Sequence, residues 1–222
     1  MTAVGNPISP GLIARVQNIL MKPRDEWQVI EGEPATTQSL FLGYAAPLAL
    51  IPAIAAIFGS VVSALIFHSV LGLVGGLISA VVTAILGFVL GLAAVFAFGL
   101  IINALASSFG AVSNALQSMK VAVYGMTAAW VAGILSFIPL LGTLASLVGF
   151  GYSCYLIYLG MVQLMKPPAD KAVAYAAVSI VIYVVIFSVL LWIIIIISAI
   201  LFTMLAVTGA TTAVTATTAA VH

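Results

Sequence analysis

The sequence predicts an all-α membrane protein, with five transmembrane helices preceded by an N-terminal interfacial amphipathic helix. Three observations carry that prediction. Apolar residues make up 64% of the chain and charged residues 5%, whereas a soluble globular chain is roughly 45–50% apolar and about 25% charged. With so few ionic groups, most of the surface must face lipid rather than water. The apolar residues also come in runs long enough to cross a bilayer, which takes about 20 helical residues. Finally, a five-span reading puts every Lys and Arg on one side.

In order, residues 1–38 form the one extended polar segment. MTAVGNPISP has neither a basic start nor an apolar run, so the first span is expected to act as its own insertion signal. Ser9-Pro10 is a helix start, a capping hydroxyl followed by proline at the first helical position. Leu12, Ile13, Val16, Ile19 and Leu20 then recur at helical spacing, with Arg15, Asn18 and Lys22 on the other side. Such a helix can lie along a bilayer surface or dock its apolar stripe on the bundle. Pro23 ends it. Asp25 and Glu26 favour a second short helix, with the acids near its positive dipole end and Trp27 and Ile30 on its apolar face.

Span one covers residues 38–66, bent at Pro47 and Pro52. A turn around His68 and Gly72 leads to span two, 76–103. A polar patch from Asn103 to Lys120 precedes span three, 121–138, which stops at Pro139. Span four covers 142–165, and the turn KPPADK separates it from span five, 172–205, which is long enough to tilt or protrude. The chain thus divides into a cytosolic segment (1–38), a five-span domain (39–206) and a Thr/Ala-rich tail (207–222) expected to be disordered.

This layout puts Arg15, Lys22, Arg24, Lys120, Lys166 and Lys171, all 6 cationic side chains, on one face. The positive-inside bias makes that face cytosolic and the C-terminus external. Four or six spans would split the lysines. A net charge of +1 gives no general attraction for nucleic acid. Cys154, the sole cysteine, allows neither an intrachain disulfide nor a cysteine metal cluster.

In span two, Gly76, Ala80, Ala84, Gly87 and Gly91 form a small-residue stripe suited to close helix packing, within the chain or between copies in a homo-oligomer. Tyr152, Tyr155 and Tyr158 form a drifting stripe on span four, whose hydroxyls need partners such as Asn103, Asn114 or Gln163.

LIARVQNILMKPRDEWQVI, SLFLGYAAPLALIPAI and YLIYLGMVQLMKPPADKAVAY, in that order and spacing, resemble the Yip1-domain family in its compact bacterial form. The resemblance spans about residues 12–190. It implies five spans, a cytosolic N-terminus and, for the bacterial form, an inner membrane. Eukaryotic relatives are associated with vesicle traffic and Rab-type GTPases; the short polar N-terminus here gives no ground for carrying GTPase binding over. Where the family commonly has Thr-Pro, Thr127 is followed by Ala128, so span three is expected to be straighter than in relatives.

No catalytic or nucleotide-binding motif stands in a usable context. His68 and His222 are isolated, and no metal or cofactor is implied. The five acids, at 25, 26, 31, 33 and 170, are expected to form solvated ion pairs with Lys22, Arg24 or Lys171. The leading expectation is a non-enzymatic protein that recruits or organises partners, membrane or cytosolic proteins, through its cytosolic face. Arg15, Lys22, Pro23, Arg24, Trp27, Lys120, Lys166 and Lys171 are the candidate contacts; the cations can instead touch anionic lipid headgroups. The rival is a passive permease or lipid-handling protein with a polar pocket at Asn103, Tyr155 and Gln163.

Overall fold

The computed structural model describes residues 11–66 and 70–221, and every regular element among them is helical. The start expected at Ser9-Pro10 and the residue His68 lie outside the described residues, as does His222. Helix α1 (Leu12–Met21) begins behind Gly11, and Lys22 alone separates it from α2 (Pro23–Gly32). Pro23 occupies the first turn of α2, where its missing N–H costs nothing, and Asp25 and Glu26 sit in that turn beside the positive dipole end.

Span one, Thr37–Val62, starts as α3 (Thr37–Leu40) under a reciprocal cap: Ser39 N–H donates to Thr36 Oγ1 and Thr36 N–H to Ser39 Oγ, both at 3.0 Å. A π-turn over Phe41–Ala45 follows, then α4 (Ala46–Ile66). The π-turn ends two residues before Pro47, which has no N–H to offer the regular ladder, so the wider turn absorbs the interruption. Pro52 sits inside α4, and span three meets it with a glycine: a Cβ on Gly133 would fall 2.6 Å from Pro52 Cβ.

Span two, Leu77–Phe109, comprises most of α5 (Val70–Ala106) and a closing 3₁₀ turn, Ser107–Phe109. Gly72, expected in a turn, is helical. Gly110 closes this end with a left-handed φ of 69°, a conformation glycine takes without Cβ strain.

Span three starts earlier than expected, at Ala115, because the Asn114 side chain caps α6 (Ala115–Gly125) by accepting from Leu116 and Gln117 N–H. It is the central helix: 61% of its apolar window is buried, against 11% for span five. It is not straight. After Gly125 the ladder breaks at Met126, resumes as α7 (Thr127–Ala132) and tightens to a 3₁₀ turn, Gly133–Phe137. Side chains rather than a proline cause the break. Thr127 Oγ1 donates to Tyr124 O at 2.6 Å, and Ala129 N–H turns out to Ser153 Oγ of span four at 3.0 Å.

Span four, Leu140–Met165, comprises α8 (Pro139–Gly160) and a terminal π-turn, Met161–Met165. Lys166 then takes a left-handed φ of 49°, and prolines 167 and 168 stop the helix. Span five, Ala172–Leu205, lies in α9 (Ala172–Val221). The tail expected to be disordered continues this helix, which is about 75 Å long at 1.5 Å per residue. Alanine is the best helix former, and the threonine hydroxyls bond back along the turn, Thr208 to Met204 O and Thr211 to Thr208 O.

The core lies toward the end carrying α1 and α2, where Trp27, Phe98, Ile102, Leu156, Met161 and Tyr175 are fully buried. Trp27 is seated on Gly160, where an added Cβ would stand 2.7 Å from Cζ2. Gly160→Ala is therefore expected to cost about 1–3 kcal/mol, since the indole cannot retreat in a filled core. Gly43→Ala, which meets nothing within 4 Å, should stay within about 0.5 kcal/mol. Thermal unfolding of the detergent-purified variants measures both.

Candidate functional site

The α2 helix ends against span three, and the ammonium of Lys120 caps it. Its Nζ donates to Ile30 O and Glu33 O at 2.7 Å each and reaches Glu31 O at 3.4 Å. These carbonyls belong to the last turn and C-cap, which have no partners inside the helix and carry its negative dipole end. Gln117, one turn before Lys120, adds a donor to Glu31 O at 3.1 Å. Lys120 is 2% exposed.

Beside it Arg15 of α1 bridges two acids of the second helix region, Nη1 to Glu26 and Nη2 to Glu33. Its guanidinium also lies 5.7 Å from the Tyr124 ring centroid. Burial would lower the Arg15 pKa, but the hydrogen bond and charge of Glu33, joined by Glu26 and Tyr124, raise it overall. Arg15, Lys120, Glu26 and Glu33 thus form a buried, charge-balanced set, the condition under which buried ions are tolerated.

A second link lies nearer the surface. Glu31 accepts from Lys166 Nζ and Gln163 Nε2, each at 2.6 Å. Those two bonds, Lys166 first, hold its carboxyl below the ordinary value of 4.5. Tyr152 OH donates to Leu20 O at 2.7 Å, fixing the end of α1 on span four. Val112 N–H donates to Met165 O at 2.7 Å, tying the loop between spans two and three to the end of span four. The N-terminal helices, that loop and the turn at 166–171 therefore gather at one end of the bundle.

This geometry revises several expectations. Arg15, Trp27 and Lys120 cannot serve as headgroup or partner contacts, being 3%, 1% and 2% exposed. The buried stripe of α1 runs through Arg15 and Ile19 and leaves Ile13 outside, so the helix docks on the bundle with its arginine inward. Glu26, Glu31 and Glu33 pair with Arg15 and Lys166, not with Lys22, Arg24 or Lys171. Lys22, Arg24 and Lys171 remain exposed, Pro23 is half-buried, and Lys166 is exposed but paired.

The expected polar pocket does not assemble. Asn103 accepts from Ser113 Oγ at 3.1 Å, Gln163 is bonded to Glu31, and Tyr155 is partly exposed on span four. The cavity lies elsewhere. A cleft of about 1050 Å³ runs between the spans in the half away from the charged cap, and none of those three residues lines it. Ala80, Ala84, Gly87 and Gly91 do. A Cβ on Gly87 or Gly91 would meet nothing within 4 Å, so these glycines face the cleft instead of a tightly packed helix. Ala84 is buried, and the surroundings of Gly76 lie outside the described residues. Close helix approaches occur instead at Gly99 on Met119, Gly125 on Ile157, Gly133 on Pro52 and Gly149 on Ala132.

Five helices long and apolar enough to cross a bilayer, with a charge-locked cap at one end, define a multi-pass helical membrane protein. The Yip1 domain family model matches residues 18–193, most of the chain, and the protein belongs to that family. No curated protein and no solved structure matches.

Lys120→Met would strand the carbonyls of Ile30, Glu31 and Glu33 without their donor and unbalance the buried charges. A loss of about 3–5 kcal/mol is expected, read as a lower unfolding midpoint and faster thermolysin cleavage of the link at residues 33–36. The Glu31 pair gives a pH test. Its pKa is depressed in the folded protein, so its contribution is full above 4.5 and disappears as pH falls through the lower folded value. The pair is partly solvated and worth up to about 1 kcal/mol. The midpoint difference between the native chain and Lys166→Met should therefore be present at pH 7 and shrink as the pH falls below 4.5.

Proposed function

We propose that this Yip1-family protein is a non-enzymatic organiser of the bacterial inner membrane that recruits partner proteins through its charged end, and that this end faces the cytosol with the C-terminus outside. One observation carries the reading. The buried ion set locks the α1–α2 elbow onto the bundle, while Lys22, Arg24, Asp25 and Gln28 of that elbow point outward. Lys171 and Asp170 add a second exposed charged site at the turn between spans four and five. A charged surface held rigid by its own core pays little ordering entropy on binding, which suits recognition of a protein partner. The gathering of all the cationic side chains of the described structure at one end supports the cytosolic orientation.

The test is proximity labelling in cells with the full chain, comparing the native protein with a Lys22→Glu, Arg24→Glu double variant. Both side chains are exposed, so the unfolding midpoint should be unchanged within about 0.5 kcal/mol. A reproducible set of cytosolic-face neighbours that falls at least about tenfold in the variant is expected, a change of about 1.4 kcal/mol in association. The same neighbours at the same abundance in both proteins would overturn the proposal.

A further inference from the structure

The cleft in the half away from the cap has the shape and chemistry of a lipid site. It extends along α5 from Ser79 to Val95, about 24 Å at 1.5 Å per residue. Its volume of about 1050 Å³ stands at the upper end of ordinary small-molecule pockets, which run about 300–1,000 Å³. Phe88, Val95, Trp130 and Phe150 wall the end nearer the core, and among the described residues no charged side chain lines it. The hydroxyls are concentrated toward the other end, at Ser79, Thr83, Ser136, Thr143 and Ser146. They come from the start of span two, the end of span three and the start of span four, the membrane boundary opposite the cap.

Two features say what fills it. Two of its lining residues, Leu147 of span four and Leu191 of span five, are 65% and 45% exposed, which marks an opening to the side between those spans. Those residues stand within the spans, so the medium they meet is hydrocarbon. Water is excluded from the apolar half, because a buried water needs two to four polar partners and these walls supply almost none. At the far end Ser136 Oγ is buried with no hydrogen-bond partner among the described residues, while Thr83 Oγ1 is tied to Ser198 Oγ at 2.6 Å and Ser79 O at 2.7 Å. The polarity therefore runs from hydroxyl to hydrocarbon in the direction that a lipid in the leaflet opposite the cap runs from its ester region to its tail.

We propose that the cleft holds one acyl chain of a bilayer glycerophospholipid from that leaflet, entering between spans four and five, with the glycerol-ester region at the hydroxyl end. Moving a tail from bilayer to cleft gains little hydrophobic free energy, since lipid tails are as apolar as the walls. Retention rests on packing against the aromatic end and on a hydrogen bond donated by Ser136 Oγ to an ester oxygen. The uncharged lining leaves the headgroup outside and gives no preference for its charge. The site is independent of the charged elbow, so it stands or falls separately from partner recruitment.

The test reconstitutes the full chain in vesicles of phosphatidylcholine carrying a diazirine midway along one acyl chain. After irradiation, adducts are mapped by mass spectrometry. Adducts on Phe88, Trp130 and Phe150 are expected, alongside those on outward residues such as Leu140 and Val148. In Gly87→Leu, Gly91→Leu the new side chains project into open space and fill the furrow. The cleft adducts should drop at least about fivefold there while the outward ones stay constant. Adducts confined to outward residues in the native chain would overturn the proposal, and that map decides alone if the filled variant does not accumulate. Cleft adducts that persist undiminished in a folded filled variant would overturn it too. So would labelling of the cleft by a free diazirine fatty acid but not by the diacyl lipid.

Discussion

The ammonium of Lys120 at the carboxyl end of α2 is the contact on which the described end of the molecule depends. One side chain of span three satisfies carbonyls that α2 cannot satisfy itself, and so turns a short polar segment into part of a membrane-embedded core. With α2 held there, Trp27 rests on Gly160 of span four and stands edge-on to Tyr124, their centroids 6.3 Å apart. Tyr124 in turn meets Tyr44 at 4.7 Å, and Tyr44 OH and Thr127 Oγ1 share a hydrogen bond at 2.8 Å. Arg15 and its two acids complete the arrangement by bringing in α1. A cation buried this deeply is stable only because carbonyls and carboxylates surround it.

The two halves of the bundle solve different physical problems. At the capped end polar groups are buried and must be matched one to one, which fixes geometry closely. In the other half the described residues offer small side chains, a few hydroxyls and apolar walls, and these border an open cleft. Loose packing would cost a soluble protein stability through lost dispersion contacts. Inside a bilayer the surrounding solvent is itself a set of flexible chains able to occupy such space, so the penalty is much reduced. The protein is thus tightly specified where it meets water and permissive where it meets lipid.

The span count and the end at which charge collects were legible in the sequence, because run length and the distribution of Lys and Arg obey simple limits. Residue roles at the cap were less so. Arg15 lies at the edge of the Leu12–Val16–Ile19 stripe, and grouping it with Asn18 and Lys22 hid that it shares the buried face. The matching signal was present in α2, where Glu26, Ile30 and Glu33 recur at helical spacing around Trp27, but solvated pairing is the usual fate of such acids. Lys120 looked like the end of a loop because charge normally marks one. Gly87 and Gly91 read as a packing motif, since no single sequence distinguishes a glycine that admits a neighbour from one that borders an opening. The threonine tail was read from low complexity, while its alanines carried a helical preference strong enough to extend α9.

The break in span three at Met126 separates two pieces of one helix with different attachments. The piece carrying Lys120 is bolted to the N-terminal cap, whereas the piece carrying Trp130 forms part of the cleft wall. An unbroken helix would transmit any tilt of one piece rigidly to the other. Here the joint routes its bonds through Thr127 and Ser153, and the piece beyond it is seated on Pro52 of span one at Gly133 and on Gly149 of span four at Ala132. Span three is therefore one helix in two separately anchored pieces, and the charged cap and the cleft wall are each held by contacts of their own.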